Sequence, residues 1–353
     1  MTESAAPAAG RRRPVRPTLE MVATRAGVSR GTASRALTGG VNVSARAMTA
    51  VGRAAQELGY HPNLAARSLV LGRSDSIGLL VSETDERLFG DLFFGEVVRG
   101  VHTALADRGV QLTLALAQSE QERRRFVRFA PGRLDGVLLI SMHGDDSLPD
   151  SLERLGVPVV LAGRPDPSAG SGTDRGKSRW WVDADNRGGA RLAAEHLRRT
   201  GRRNLATITG PQDMGVGVDR LAGFLEPFAA AGMADPPAEA GDFSEGSGYE
   251  AMSRLLARQP DLDGVFAASD LMAIGAIRRL GDAGRRVPDQ VGVVGFDDIP
   301  LAAGNRPALT TVRQPVAELG RQLVELLLRR ISDRPGEVTQ LVLPTELVIR
   351  RSA

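Results

Sequence analysis

Hydrophobic positions from Ile77 onward fall into short apolar runs that alternate with longer amphipathic segments. The apolar runs predict strands at Ile77–Val81, Val110–Ala115, Val137–Ile140 and Val157–Ala162. The segments between them predict helices near Phe93–Arg108, Gln121–Phe129 and Leu148–Leu155. Apolar strands that alternate with helices are typical of a parallel sheet covered by helices on both faces. This part of the chain therefore predicts a doubly wound α/β unit.

The alternation restarts at Trp181 and predicts a second unit of the same kind. Its strands are predicted at Asn204–Ile208, Val265–Ala268 and Gly292–Gly295. Its helices are predicted at Gly188–Thr200, Arg220–Ala231, Gly248–Arg258 and Leu271–Gly281. Residues 166–178, rich in Ser, Gly and Asp, predict a loop between the two units. Two open α/β units predict a ligand cleft between them, at the carboxyl ends of their strands.

The first 62 residues lack this alternation and predict an all-α head of three short helices. These helices are Leu19–Ala26 after Thr18, Arg30–Thr38 after Ser29, and Ala45–Leu58 after Ser44. Ser and Thr are good N-cap residues, and Gly27 ends the first helix. Two helices joined by a tight glycine turn are typical of a helix-turn-helix, although other three-helix domains share this pattern.

Positive charge is concentrated in this head. Residues 1–74 hold eleven Arg and three acidic residues, a net charge of +8, whereas 75–353 holds 34 basic and 39 acidic residues, a net charge of −5. A basic head on an acidic body favours a polyanionic partner. The second helix carries Arg and short polar side chains suited to base edges and phosphates of DNA. The candidate DNA-contacting residues of the head are Thr18, Ser29, Arg30, Gly31, Thr32, Ser34 and Arg35.

Residues 1–17 consist mainly of Ala, Pro and Arg without periodicity, and they predict a disordered arm. Two roles stay open for its arginines: they reach DNA phosphates, or they only keep the arm soluble.

The composition excludes several kinds of site. The chain has no cysteine, which excludes disulfides, thiolate metal sites and cysteine nucleophiles and favours a reducing cytoplasm. Its four histidines are scattered singly, so neither a metal site nor a cofactor is expected. No apolar run reaches the roughly 18 residues of a membrane span, so no membrane partner is expected. The arginine run near the start is followed by polar residues, unlike a secretory signal.

Catalysis is not expected either. The adjacent carboxylates Asp145 and Asp146, and Asp297 and Asp298, do not face each other across a bond to be cleaved. No glycine-rich phosphate loop follows a first strand. A binding protein rather than an enzyme is therefore predicted.

Motifs along the head point to a known family. In order and spacing they resemble the head of the LacI/GalR repressors: residues 18–23 (TLEMVA), 26–30 (AGVSR), 34–35 (SR), 57–63 (ELGYHPN) and 65–69 (AARSL). The resemblance continues to residue 350. It implies a helix-turn-helix head on a two-lobed, periplasmic-binding-protein-like sensor with two doubly wound parallel sheets. It also implies a cytoplasmic transcription repressor that binds double-stranded operator DNA as a homodimer and responds to a small-molecule effector.

The resemblance implies a hinge helix after the head, which folds on operator DNA. Asn63 and Ala66 would contact the DNA, and Leu69 would enter the minor groove and kink the duplex. Alternatively, Leu69 packs on the body as a linker residue. Ala33 and Ala36 depart from the family, which more often has Val at both positions, and the recognition helix is expected to pack more loosely as a result.

The domain boundaries follow from the patterns and the resemblance together. The helix Val316–Ile331 is expected to return to the first lobe, and the last strand, about Leu341–Val348, to the second. The predicted parts are the arm 1–17, the DNA-binding domain 18–62, the hinge and linker 63–74, and the ligand-binding and dimerisation domain 75–353, with a first lobe of about 75–175 and 314–335 and a second of about 179–313 and 338–353.

Sugar sites need polar groups for hydroxyls and an aromatic face for the C–H side of the ring. The resemblance places Arg220 and Asp297 at positions where relatives bind the effector. Each candidate also has a structural interpretation: Phe94 and Phe243 as core aromatics, His143 as an exposed loop histidine, and one of Ser269 and Asp270 as a helix cap. The candidate effector-binding residues are Phe94, His143, Arg164, Arg220, Phe243, Ser269, Asp270 and Asp297.

Loop residues within the body narrow the expected effector. Residues 83–89, 143–149, 162–164 and 210–214 resemble actinobacterial cellobiose-responsive regulators of the family. The expected effector is therefore a sugar, cellobiose or a related β-glucoside or cello-oligosaccharide. Open alternatives are a repressor responsive to purines or other sugars, and a sugar-binding transport protein, which would lack the basic head. A heptad tail of the kind that tetramerises some relatives is not evident, so a dimer is expected.

Overall fold

The computed structural model describes residues 17–37, 42–60, 73–144, 146–165, 179–332 and 338–353. The chain divides into two compact units, residues 1–74 and 75–353. Among the described residues, no helix is both long enough and apolar enough to cross a membrane.

The described part of the first unit contains three helices: α1 Leu19–Ala26, α2 Arg30–Leu37 and α3 Ala45–Leu58. The side chains of Thr18 and Ser44 accept hydrogen bonds from backbone N–H groups of α1 and α3, which confirms both predicted N-caps. Gly27 ends α1 with a φ of +67°, a conformation that glycine adopts without strain. The core of this unit is small, because its buried side chains are those of alanine and valine. They are Val22, Ala23, Ala33, Val51, Ala54 and Ala55.

Two six-stranded sheets form the second unit. The first runs in the order β11-β5-β4-β3-β1-β2, and all its strand pairs are parallel. Its strands are β1 Ser76–Val81, β2 Gln111–Leu116, β3 Gly136–Ile140, β4 Val159–Ala162, β5 Trp181–Ala184 and β11 Gln340–Leu343. Its helices are α4 Asp85–Gly90, α5 Leu92–Ala106, α6 Glu120–Phe129, α7 Leu148–Glu153 and α13 Val316–Ile331.

The second sheet runs in the order β12-β10-β9-β8-β6-β7, parallel except for the antiparallel pair of β10 and β12. Its strands are β6 Leu205–Thr209, β7 Ala238–Ala240, β8 Gly264–Ala267, β9 Gly292–Asp297, β10 Thr310–Arg313 and β12 Glu346–Val348. Its helices are α8 Asn186–Arg199, α9 Gly215–Ala229, α10 Glu245–Arg258, α11 Asp270–Asp282 and α12 Pro300–Gly304.

The central strands of each sheet are buried on both faces, as the apolar strands predict. In β1, Leu79 packs with α5 and α13 on one face, and its neighbour Leu80 packs into a second cluster on the other. The second sheet likewise separates two buried clusters. The predicted doubly wound architecture is confirmed.

Two strand assignments made from the sequence are wrong. The strand that begins at Trp181 pairs with β4 and β11 in the first sheet, not in the second lobe. The last predicted strand is two strands, of which β11 joins the first sheet and β12 the second. Pro344 separates them because it has no N–H to donate to a sheet. The patterns also do not predict the short elements α4, β7, β10 and α12.

The lobes are connected by three described crossovers, at 184–186, 313–316 and 343–346. Helix α13 packs on α5 and on β3, β4 and β5, so the second crossover returns the chain to the first lobe. The crossovers at 184–186 and 343–346 are hydrogen-bonded to each other, because Asp185 N–H donates to Leu343 O (2.8 Å). Neighbouring crossovers of this kind form a natural hinge between the lobes.

Candidate functional site

A cavity of about 160 Å³ lies between the two lobes. Its volume is on the order of ten times what one ordered water needs, which suits a small organic molecule. The wall from the first lobe includes Ile140, Ala162 and Asp183, at or near the carboxyl ends of their strands. The wall from the second lobe includes Asp297 at the end of β9 and Arg220 on α9. The cavity therefore has the position predicted for a ligand cleft.

Arg220 is buried at the cavity, where three acceptors hold its guanidinium. Its Nε donates to Asn186 Oδ1 (2.9 Å), its Nη1 donates to Ala268 O (2.5 Å), and its Nη2 lies 3.2 Å from Asp297 Oδ1. The guanidinium also lies 3.7 Å from the centre of the Phe296 ring. Burial lowers the pKa of Arg220, and the neighbouring carboxylates oppose this effect. The contacts fix the guanidinium plane in one orientation.

Asp297 and Asp183 continue the hydrogen bonding on either side of Arg220. Asp297 Oδ1 accepts from Gln314 Nε2 (2.7 Å), and Asp183 Oδ1 accepts from Asn186 Nδ2 (2.9 Å). A chain of hydrogen bonds thus runs from Asp183 on the first sheet to Gln314 beyond the second, through Asn186, Arg220 and Asp297.

Three buried carboxyl groups, those of Asp91, Asp183 and Asp297, line the cavity near Arg220. Burial raises the pKa of Asp297 to about 7, against the lowering effect of Arg220. Burial also raises the pKa of Asp183 to about 6 and raises that of Asp91. Carboxylates accept hydrogen bonds, and their neutral forms also donate one. The wall is therefore suited to a ligand with several hydroxyl groups.

Three aromatic side chains line the cavity: Phe93, Phe94 and Phe243. Phe94 on α5 is buried in the first lobe, and Phe243 follows β7 in the second. Phe243 has a φ of +72°, which is strained for a residue with a side chain. Its carbonyl accepts from Ser269 Oγ (3.2 Å), and its ring packs so closely on Gly210 that a side chain there would overlap it. The surroundings therefore hold the Phe243 ring in place.

Charged contacts join the lobes at the cleft mouth. Arg164 of the first lobe contacts Asp219 on α9, and His143 Nδ1 lies 2.9 Å from Asp213 Oδ2. Gly144 N–H donates to Asp213 O (2.7 Å). The structure therefore has the cleft in a closed arrangement.

The structure brings together five of the eight predicted effector-binding residues. The cavity-lining ones are Phe94, Arg164, Arg220, Phe243 and Asp297. His143 is not among the lining residues, since it bridges the lobes at the mouth. Ser269 caps α11, and Asp270 is completely buried, accepting from Thr311 Oγ1 and Ile299 N. Neither Ser269 nor Asp270 lines the cavity, so the expectation that one of them contacts the ligand is corrected.

Several cavity residues were not predicted. They include Arg87, Asp91, Asp183, Asn186 and Gln314. Asp183 lies near the carboxyl end of the apolar strand β5 and Asn186 follows that strand, as ligand residues at a sheet edge often do, and this was the available signal. The sequence pattern assigned this strand to the second lobe, so these residues were not expected on the first-lobe wall of the cavity.

Six of the seven predicted DNA-contacting residues of the head lie on α2 or directly before it, and the seventh, Thr18, caps α1. Arg30, Gly31 and Arg35 are exposed, and Ala33 is buried beneath them. Ser29 Oγ accepts from Thr32 N (3.1 Å) and so caps the helix. Their contact with DNA stays a prediction. The predicted arm up to residue 16, and Asn63, Ala66 and Leu69 of the predicted hinge helix, lie outside the described residues.

No cluster of three or more His, Asp or Glu side chains suited to a metal ion occurs in the parts of the chain that the structure describes.

Comparison with known proteins relates both units to one family. Residues 18–63 match the family described as bacterial regulatory proteins, lacI family, and residues 194–353 match the periplasmic binding protein-like domain. The chain is 48% identical to the transcriptional regulator CelR of Thermobifida fusca over 340 residues, which is 96% of this chain and 98% of that protein.

Solved structures of regulators are similar to nearly the whole chain. A complex of the transcriptional regulator CelR with cellobiose has a TM-score of 0.75 and 46% identity, covering 96% of this chain and 100% of that one. A lac repressor dimer bound to operator and the anti-inducer ONPF has a TM-score of 0.83 and 25% identity, covering 95% and 98%.

Proposed function

The chain belongs to the LacI family of bacterial regulatory proteins, and on that premise we propose that it is a cytoplasmic transcription repressor released from operator DNA by cellobiose or a related β-glucoside. The similarity to CelR, which has been solved with cellobiose, supports this effector class. We further propose that the chain acts by binding alone and catalyses no reaction.

The cavity wall carries the proposal. The hydrogen-bonded row from Asp183 to Gln314 presents fixed donors and acceptors, and Phe94 and Phe243 present apolar surface. A disaccharide offers many hydroxyls together with apolar C–H faces, so it suits both features. A planar purine has few hydrogen-bonding groups to meet three carboxylates.

A helix-turn-helix monomer reads half of a site, so we propose a two-fold dimer on a pseudopalindromic operator. The lac repressor structure similar to this chain is such a dimer on operator.

The effector would act through cleft closure. A ligand that contacts both lobes binds the closed cleft more tightly and shifts the population toward it, by no more than its differential affinity for the two states. Rotation about the crossovers at 184–186, 313–316 and 343–346 would transmit the change to the first lobe.

Isothermal titration calorimetry with cellobiose, cellotriose, maltose, lactose and hypoxanthine tests the effector class. We expect saturable binding of cellobiose or cellotriose, accompanied by a rise in melting temperature. Binding of hypoxanthine in place of every β-glucoside would contradict the proposal.

A further inference from the structure

His143 lies between two carboxylates that belong to different lobes. Its Nδ1 is 2.9 Å from Asp213 Oδ2, in the loop after β6 of the second lobe. Its Nε2 is 3.3 Å from Glu83 Oε1, which follows β1 in the first lobe. Both ring nitrogens therefore face carboxylate oxygens.

The protonation state follows from counting donors. An ionised carboxylate only accepts hydrogen bonds, whereas a neutral imidazole has a single N–H. A neutral His143 would therefore turn a lone pair toward one of the two carboxylates. Only the imidazolium, with two N–H groups, donates to Glu83 and Asp213 at once.

Charged groups from several elements lie around this bridge. The Glu83 side chain is only 6% exposed and is ion-paired with Arg87 of α4. Arg87 also lies 4.7 Å from the centre of the Phe243 ring of the second lobe. Asp91 adds a further negative charge near Arg87 and Glu83. Asp146, in the same loop as His143, faces Arg123 and Leu148 N–H.

We infer that His143 is a positioning residue of the effector site, which holds the two lobes together as an imidazolium, so that cleft closure takes up a proton. The inference rests on the proposed function in one respect: the effector is taken to prefer the closed cleft. His143 would then act on effector affinity without lining the cavity.

The direction of the pH dependence follows from the contacts. Hydrogen bonding to Glu83 raises the pKa of His143 in the closed cleft; burial opposes this and Asp213 adds to it. The stabilisation of the closed form is complete below the ordinary histidine pKa and is lost as pH rises through the raised value. Effector affinity should therefore fall with rising pH, by at most about tenfold per pH unit for one proton.

Histidine NMR on the full-length protein tests the bridge directly. The chain has four histidines, so the His143 ring signal is identified by its loss in His143→Gln. We expect a pKa above the ordinary histidine value that is higher with saturating cellobiose than without it and that drops in Asp213→Asn. A His143 pKa that is ordinary in both conditions, or unchanged in Asp213→Asn, would overturn the inference.

Cellobiose binding across pH tests the coupling. Asp183 and Asp297 also titrate near neutral pH, so the wild-type profile alone does not isolate His143. We expect wild-type affinity to fall as pH rises above the ordinary histidine pKa of about 6.5, and His143→Gln to lose most of that dependence. His102→Gln, at an exposed position on α5, is the matched control and should keep the wild-type profile.

Identical pH profiles for wild type and His143→Gln would overturn the coupling. Absence of cellobiose binding to any of these proteins at any pH would reject the proposed effector instead, and the NMR measurement would then decide the role of His143 alone.

Discussion

Arg164 of the first lobe and Asp219 of the second form an ion pair across the cleft, with Arg164 Nη2 lying 2.5 Å and 2.6 Å from the two carboxylate oxygens. The Asp219 side chain is 13% exposed and that of Arg164 44%, so the pair is partly shielded from water. It exists only while the lobes are together, and it therefore favours the closed cleft.

Asp219→Asn should weaken cellobiose binding by about two- to fivefold, because a partly exposed ion pair contributes up to about 1 kcal/mol. Titration calorimetry measures the change. Arg164 lines the cavity, so Arg164→Ala removes more than the pair, and a double-mutant cycle separates the two effects. An unchanged Kd in Asp219→Asn would show that the ion pair does not stabilise the closed cleft.

Arg220→Lys should destabilise the protein by about 2 kcal/mol or more and abolish the response to effector. A lysine ammonium keeps the charge but does not reproduce the fork that contacts Asn186, Ala268 and Asp297. Chemical denaturation and calorimetry measure the two losses. Arg191→Lys, an exposed position on α8, serves as the control; a similar loss there would show that the buried fork is not the cause.

Gly210→Ala should cost about 1–3 kcal/mol of stability and weaken effector binding, because the new methyl group overlaps the Phe243 ring. Thermal unfolding and calorimetry report the two effects. The control is Gly281→Ala on α11, where the added methyl group contacts no neighbouring atom. Helix α11 should therefore be slightly stabilised. Wild-type affinity in Gly210→Ala would mean that the position of Phe243 is unimportant.

The buried carboxyls predict a pH dependence of stability. Burial raises the folded-state pKa of Asp297 to about 7 and that of Asp183 to about 6, above their unfolded values. Each therefore contributes stability that is complete below its unfolded pKa and is lost as pH rises through its folded pKa. Denaturation at several pH values should show that Asp297→Asn removes part of the decline between about pH 4 and about pH 8. The same slope in wild type and variant would contradict this assignment.

Local sequence rules predicted most of the secondary structure because its causes are local. Thr18 and Ser44 cap helices through neighbouring N–H groups, and Gly27 ends a helix through its own φ. The strand at Trp181 was recognised as apolar, but its partner strands are set by distant residues, so its sheet was assigned wrongly.

The candidate site was predictable only in part for the same reason. The family resemblance located Arg220 and Asp297, which line the cavity. Residue type and strand-end position did not distinguish Asp270 from Asp297, although one faces Thr311 in the core and the other faces the cavity. The proximity of Arg87 to Phe243 depends on how the lobes close, which no local pattern contains.

We propose that a β-glucoside releases this repressor from DNA. Fluorescence anisotropy of the full-length protein on duplex DNA from its own upstream region, with and without cellobiose, tests it most directly. We predict tight binding that weakens with salt, as phosphate contacts require, and that cellobiose releases while maltose and hypoxanthine do not. Binding that appears only after ligand is added, or that no β-glucoside releases, would contradict the account.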